Sequence, residues 1–173
     1  MLPKELISAP AIAKRVHELA REIDAKLPPG PLVVVGVLRG AFVFMADLVR
    51  QIPRQMSCDF LGVRSYGDAT VSSGVVEITS DLASPISGKH VLLIEDIADT
   101  GLTLKYLQDL LRTRGPASLH TCVLMAKPTL PDSIKVDFVG FEAPNAFVVG
   151  YGLDAAQQFR NLPYIGAIEP TKA

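Results

Sequence analysis

The stretch VLLIEDIADTGLTL, residues 91 to 104, opens with four apolar residues and then sets three carboxylates, Glu95, Asp96 and Asp99, ahead of Thr100, Gly101, Leu102 and Thr103. Gly101 gives the backbone access to positive φ. The helix start expected after it offers free N–H groups and the positive end of a dipole, so the TGLT turn can wrap a phosphate with main-chain and threonine donors. A strand, a glycine turn and a helix also occur for packing alone, and the carboxylates carry the added information. Glu95 and Asp96 close a hydrophobic strand, where acids are costly to bury without donors or a cation. The vicinal hydroxyls of a ribose, or a Mg²⁺ bound to them, would meet that need, and Asp99 in the loop is placed to act as a separate acid or base. A ribose 5-phosphate carrying a leaving group satisfies the whole string.

The elements that position these groups are legible around them. Ile12, Val16, Leu19, Ile23 and Leu27 recur at helical spacing with charged residues opposite, which predicts an amphipathic helix over 11–27 with Ser8 as its cap. LPPGP ends it. LVVVGVL is a continuous β-branched run of the kind buried on both faces of a parallel sheet, and AFVFMADLVRQI reads as the helix after it, closing before Pro53. MSCDFLGVRSY and VVEIT read as strands on either side of the loop GDATVSSG, whose Gly, Ser and Thr content predicts a long mobile loop. HVLLIE is the next buried strand, DIADTG its loop, and LTLKYLQDLLRTRG a helix stopped by Gly115. The strand SLHTCVLMAK, two further apolar runs, VDFVGF and AFVVGY, and an irregular tail complete the chain. The alternation implies an α/β fold with a mostly parallel sheet flanked by helices on both faces, and ligands in such sheets sit beyond the carboxyl ends of the strands. Loops starting at residues 39, 95, 127 and 150 all leave strand ends, which predicts four turns converging on one rim.

Composition narrows the partner. The 173 residues carry 17 Lys and Arg against 18 Asp and Glu, a formal net charge of −1, without a block of like charges. A broad electrostatic grip on nucleic acid or anionic lipid is therefore not expected, and a small-molecule partner is. Length and a 49% hydrophobic content fit a single domain over 1–173. Two cysteines, Cys58 and Cys122, lie in strand-like runs, the usage of a reduced cytoplasmic protein. Neither a signal core nor a membrane-length apolar run is seen. His17, His90 and His120 are scattered and receive no role.

The motif of residues 91–104 resembles the 5-phosphoribosyl 1-pyrophosphate (PRPP) motif of type I phosphoribosyltransferases. GVLRGAFVFMADLVR, RSYGDATVSSGVV, AKP and FVVGYGLDAAQQFRNLPYIG follow the order seen in the hypoxanthine-guanine phosphoribosyltransferases, so the likeness runs from about residue 32 to 163. It implies the type I phosphoribosyltransferase fold with a small hood region, and Mg²⁺-dependent transfer of a 5-phosphoribosyl group from PRPP to hypoxanthine or guanine, giving IMP or GMP and pyrophosphate. Carried onto this chain, it implies pyrophosphate binding by the main chain of Leu38, Arg39 and Gly40, commonly around a non-proline cis peptide, and by Arg160. Ser65 and Tyr66 match a mobile loop that closes over the reacting centre. Glu95 and Asp96 match the ribose-binding acids and candidate metal ligands, Asp99 the residue at purine N7, and Asp99 to Thr103 the 5′-phosphate loop. Lys127 matches the donor to the 6-oxo group, Phe147 the aromatic that stacks on the base, Val148 the backbone at the base edge, and Asp154 the ligand of a second Mg²⁺.

Two departures stand out. Arg39 replaces the lysine often seen, a change expected to be mild because the backbone makes the contact, and Ala146 stands where a larger residue often precedes the aromatic. A PRPP-sensing regulator that binds nucleic acid is the rival from another class, opposed by the absence of a basic patch. A flavodoxin-like signalling domain with an acidic Mg²⁺ pocket does not require the GDATVSSG loop. An apolar stripe on AFVFMADLV points to a homodimer or homotetramer.

Overall fold

The computed structural model describes residues 2–66 and 75–168, apart from the side chains of Ser65, Tyr66 and Val75. The elements run β1 (Lys4–Ile7), α1 (Ala9–Lys26), β2 (Leu32–Leu38), α2 (Phe42–Val49), β3 (Met56–Tyr66), β4 (Val75–Ser80), β5 (His90–Ala98), α3 (Leu102–Arg112), β6 (Ser118–Ala126), β7 (Phe138–Glu142), β8 (Phe147–Val149) and β9 (Ile165–Ile168). Six of the strands form one sheet in the order β4-β3-β2-β5-β6-β7. Every pairing in it is parallel except that of β4, which lies antiparallel on the edge.

Alternation along the central strands sorts the two faces. Leu32 and Val34 of β2, with Leu92 and Ile94 of β5, pack against α1 and α2. Val33, Val35 and Val37, with Val91 and Leu93, pack against Leu104, Leu107 and Leu111 of α3. Because both faces are covered, these strands read as unbroken apolar runs instead of alternating ones. On α1 the Ser8 hydroxyl accepts from the Ala11 N–H at 3.3 Å, and Ile12, Val16, Leu19, Ala20 and Ile23 are buried. Burial of each larger side chain among them is worth ~1.5–3 kcal/mol. The helix begins two residues before the expected start, and Leu27 is already extended ahead of the two prolines.

Three expectations need correction. β5 does not stop at Glu95: its ladder with β6 continues through Glu95 opposite Val123, Ile97 opposite Met125 and Ala98 opposite Ala126. Glu95 and Asp96 are thus held by a strand, and only Asp99 belongs to the loop. The tail is not irregular throughout, because β9 pairs antiparallel with both β1 and β8 in a separate three-stranded sheet. That sheet is the small hood, so the turn at residue 150 leaves the hood and not the parallel sheet. Local pattern missed it because β1 and β8 are four and three residues long, too short to show a period. The loop expected at 67–74 lies outside the described residues. No described helix is long and apolar enough to cross a membrane.

Candidate active site

Two strand ends build the floor of the site. After β2 the Leu38–Arg39 peptide is cis, and Gly40 lies so close to β5 that a Cβ there would stand 1.6 Å from Asp96 Oδ2. Beside it Glu95 is buried, and the loss of water, followed by the charge and hydrogen bonding of Asp96, pushes its carboxyl well above the usual range. The Asp96 N–H donates to Glu95 Oε1 at 3.1 Å, and the Ile97 N–H donates to Asp96 Oδ1 at 2.7 Å. A deep acid next to a shallower one favours a ligand that brings hydroxyl donors or a cation.

The turn after β5 fits an anion. Gly101 sits at φ +78° as the N-cap of α3, its carbonyl accepting from the Lys105 N–H at 2.8 Å. Gly101 has no side chain to cap this end and the first turn carries no acid; apart from a long 3.4 Å bond from the Leu102 N–H to Thr100 Oγ1, its N–H groups and the dipole face the turn. Asp99, Thr100, Gly101 and Thr103 line a cavity of about 80 Å³ there, with Glu95 at its edge.

On one side of Asp96 lies a pocket of about 230 Å³ lined by Asp99, Lys127, Phe147 and Val148, together with Ala146 and Asp154. The Lys127 N–H donates to Ala98 O at 2.9 Å, which fixes the backbone of this turn, and Lys127 Nζ lies 2.8 Å from Asp99 Oδ2. Phe147 is 52% exposed, so core packing does not account for it, whereas Val148 is buried. On the other side a cavity of about 410 Å³ joins Arg39, Gly40, Thr103, Asp154 and Arg160. Arg160 Nη2 is 2.7 Å from Asp154 Oδ1, and its Nη1 donates to Gly152 O at 2.7 Å. Gly152, at φ +101°, packs against Gly40: a Cβ would lie 2.3 Å from Gly40 O.

The structure therefore brings together the residues expected at the site, with the exception that nothing is described of the Ser65 and Tyr66 side chains. Their backbones end β3, opposite Val76 and Val75. Arg64 on the rim, and Gly152 and Gln157 in the C-terminal segment, were not anticipated, since one exposed arginine or glutamine has no distinguishing pattern. The position of Gly152 beside Asp154 in GYGLD was the available signal for a close backbone approach. A larger groove, about 1110 Å³ around Pro29, Arg54 and Cys58, lies at the opposite ends of β2 and β3 and holds none of these groups.

Among the described residues no three His, Cys, Asp or Glu side chains form a ready-made metal cluster. Glu95, Asp96 and Asp154 instead offer carboxylates beside open cavities, the donor set that suits Mg²⁺ when substrate oxygens and water complete its shell.

Comparison with known proteins places the whole chain among relatives. The family described as phosphoribosyl transferase domain matches residues 4–156. The chain is 49% identical over 170 residues to the hypoxanthine-guanine phosphoribosyltransferase of Bacillus subtilis, covering 98% of this chain and 94% of that protein. It is 47% identical to the bifunctional protein TilS/HprT of Listeria innocua, of whose length it spans 26%. A solved hypoxanthine-guanine phosphoribosyltransferase structure from Bacillus anthracis superimposes with a TM-score of 0.91 at 39% identity, covering 98% of this chain and 100% of that one.

Proposed function

The chain belongs to the phosphoribosyl transferase family, and on that footing we propose that it makes IMP or GMP and pyrophosphate from PRPP and hypoxanthine or guanine, a purine salvage reaction. The observation that carries this reading is the order of the cavities. A phosphate-sized turn, two acids, a pocket with Lys127, Asp99 and Phe147, and an arginine-bearing cavity all meet at the end of β5.

The main-chain N–H groups of 100–103 and the Thr103 hydroxyl hold the 5′-phosphate, and Glu95 and Asp96 accept from the ribose hydroxyls. Lys127 donates to the 6-oxo oxygen and Phe147 stacks on the ring. As the bond between purine N9 and ribose C1 forms and the bond from C1 to pyrophosphate breaks, Asp99 takes up the ring proton at N7. Arg160 and the turn of Arg39 and Gly40 meet the charge that develops on the leaving pyrophosphate. Mg²⁺, when bound, would be held by Glu95 and Asp96 and by Asp154, and supplies further positive charge to the pyrophosphate oxygens. Ser65 and Tyr66 are proposed to cover the reacting centre and exclude water. The rest is positioning, without a covalent intermediate.

Assembly as a homodimer or homotetramer is proposed through the apolar groove where exposed Phe42 adjoins Ala13, Leu162 and Pro163. The two free cysteines support a cytoplasmic location. The test of function is IMP formation from hypoxanthine, PRPP and Mg²⁺; purified protein that binds PRPP but makes no nucleotide from either 6-oxopurine contradicts the proposal.

A further inference from the structure

Arg39 and Arg160 reach the same cavity from segments far apart in the chain, and one side chain joins them. Arg39 Nη1 donates to Gln157 Oε1 at 3.0 Å, and Arg160 Nη2 donates to the same oxygen at 3.3 Å. An amide oxygen has two lone pairs, so two guanidinium donors fill it. The backbone is bent to present it. Ala155 and Gln158 exchange hydrogen bonds of 3.2 and 2.9 Å, while Ala156 and Gln157 between them take φ values of 48° and 67°. A glutamine accepts that left-handed conformation only at some cost. The Gln157 N–H also donates to Asp154 Oδ2 at 2.7 Å, and Asp154 Oδ1 holds Arg160. One residue thus touches both arginines and the acid that orients one of them.

The same two segments meet again below this bridge, where Gly152 packs on the Gly40 carbonyl, and beyond it, where the Tyr151 hydroxyl donates to Asp47 Oδ2 at 2.6 Å. Packing and Tyr151 already hold the backbones together. The Gln157 side chain is itself exposed, so joining the guanidinium groups is the contribution it adds.

We propose that Gln157 is a positioning residue for the pyrophosphate half of the PRPP site, holding the guanidinium groups of Arg39 and Arg160 at the spacing that receives pyrophosphate. The proposal rests on the PRPP reading of the cavity. It also gives the Arg39 side chain a task of its own beyond the main-chain contact expected of that turn.

The test is titration of inorganic pyrophosphate with Mg²⁺ into the wild type, Gln157→Ala, Arg39→Ala, the double variant and Gln157→Glu, alongside KM values for PRPP and hypoxanthine. Gln157→Ala should weaken pyrophosphate binding and raise KM for PRPP by about 10-fold, the loss of one or two charge-assisted bonds, while KM for hypoxanthine moves by less than ~2-fold. Gln157→Glu keeps an acceptor in place and should stay within ~3-fold of wild type. In the Arg39→Ala background Gln157→Ala should cost less than it does alone, because one of its two partners is already gone. Wild-type pyrophosphate affinity in Gln157→Ala, an equal rise in both KM values, or full multiplication of the single effects would overturn the proposal. The titration needs no turnover: a wild type that makes no IMP refutes the function while the Gln157 comparison still reads, and a wild type that binds no pyrophosphate refutes both.

Discussion

Lys127 Nζ lies 2.8 Å from Asp99 Oδ2, so the two side chains proposed to read adjacent atoms on one edge of the purine are ion-paired to each other. Their side chains are 30% and 55% exposed, and a pair so open to water is worth only ~0–1 kcal/mol. On the proposed reading a purine displaces it cheaply, exchanging one screened contact for two directed ones, the ammonium to the 6-oxo oxygen and the carboxylate to N7.

Asp99→Asn tests the second of those contacts. The amide keeps the shape and can still accept from Lys127, but it cannot take a proton, so kcat should fall by roughly 10² to 10⁴ with only a modest change in PRPP affinity. Steady-state rates decide it, and an unchanged kcat removes Asp99 from the chemistry.

Gly40→Ala tests how closely the two strand ends must approach. A Cβ 1.6 Å from Asp96 Oδ2 forces either the acid or the turn to move. A displacement of that order at reacting groups costs about 10²-fold, here in kcat/KM for PRPP. Retention of wild-type kcat/KM would mean that the turn and Asp96 do not share a ligand.

Gly101→Ala should act on stability as well as on the phosphate turn. Its φ of +78° disfavours a side chain, and the new Cβ would lie 2.0 Å from Ile134 Cδ1 and 2.9 Å from Leu130 Cδ1. Strain and overpacking together predict a loss of ~1–3 kcal/mol, read from the midpoint of urea unfolding. An unshifted midpoint contradicts the packing described.

Residues 91–104 announced their chemistry because acids at the end of an apolar strand cannot be explained by burial, and the parallel sheet was legible because LVVVGVL and HVLLIE are apolar without alternation. Phe147 could not be told from core by its neighbours; only its exposure in the hood separates the two. The hood itself was hidden because β1 pairs with β9 across nearly the whole chain, from Lys4 to Ala167, and no local pattern reports so distant a partner. Gln157 was invisible for the same reason, since its meaning lies in an arginine 118 positions away. The roles themselves came from the family resemblance, which composition and periodicity alone do not supply.

Thiol chemistry gives a check on the fold that is independent of activity. Burial pushes the Cys122 thiol far up, because an apolar interior disfavours the thiolate, and partial burial raises exposed Cys58 less. The thiolate is the reactive form and a raised pKa lowers its fraction, so labelling of Cys58 should be slow near neutral pH and accelerate as pH rises. Cys122 should react only after unfolding. A disulfide-exchange reagent should thus count one thiol in the folded chain and two in denaturant, and Cys58→Ala should leave none while folded. Equal labelling rates at both cysteines would contradict the burial of β6.

Lys127 is proposed to select a 6-oxopurine. Its ammonium offers only donors, so it pairs with the oxygen of hypoxanthine or guanine and faces a second donor in adenine, and a site built around one polar group can reject the wrong partner by ~10⁴ or more. The direct measurement is kcat/KM for hypoxanthine, guanine and adenine in the wild type and in Lys127→Ala, at saturating Mg²⁺ and PRPP. Adenine should be nearly inert in the wild type, and the variant should show a steep fall with guanine together with a smaller guanine-to-adenine ratio. A wild type that uses adenine as well as guanine, or a variant that keeps full discrimination, would contradict it.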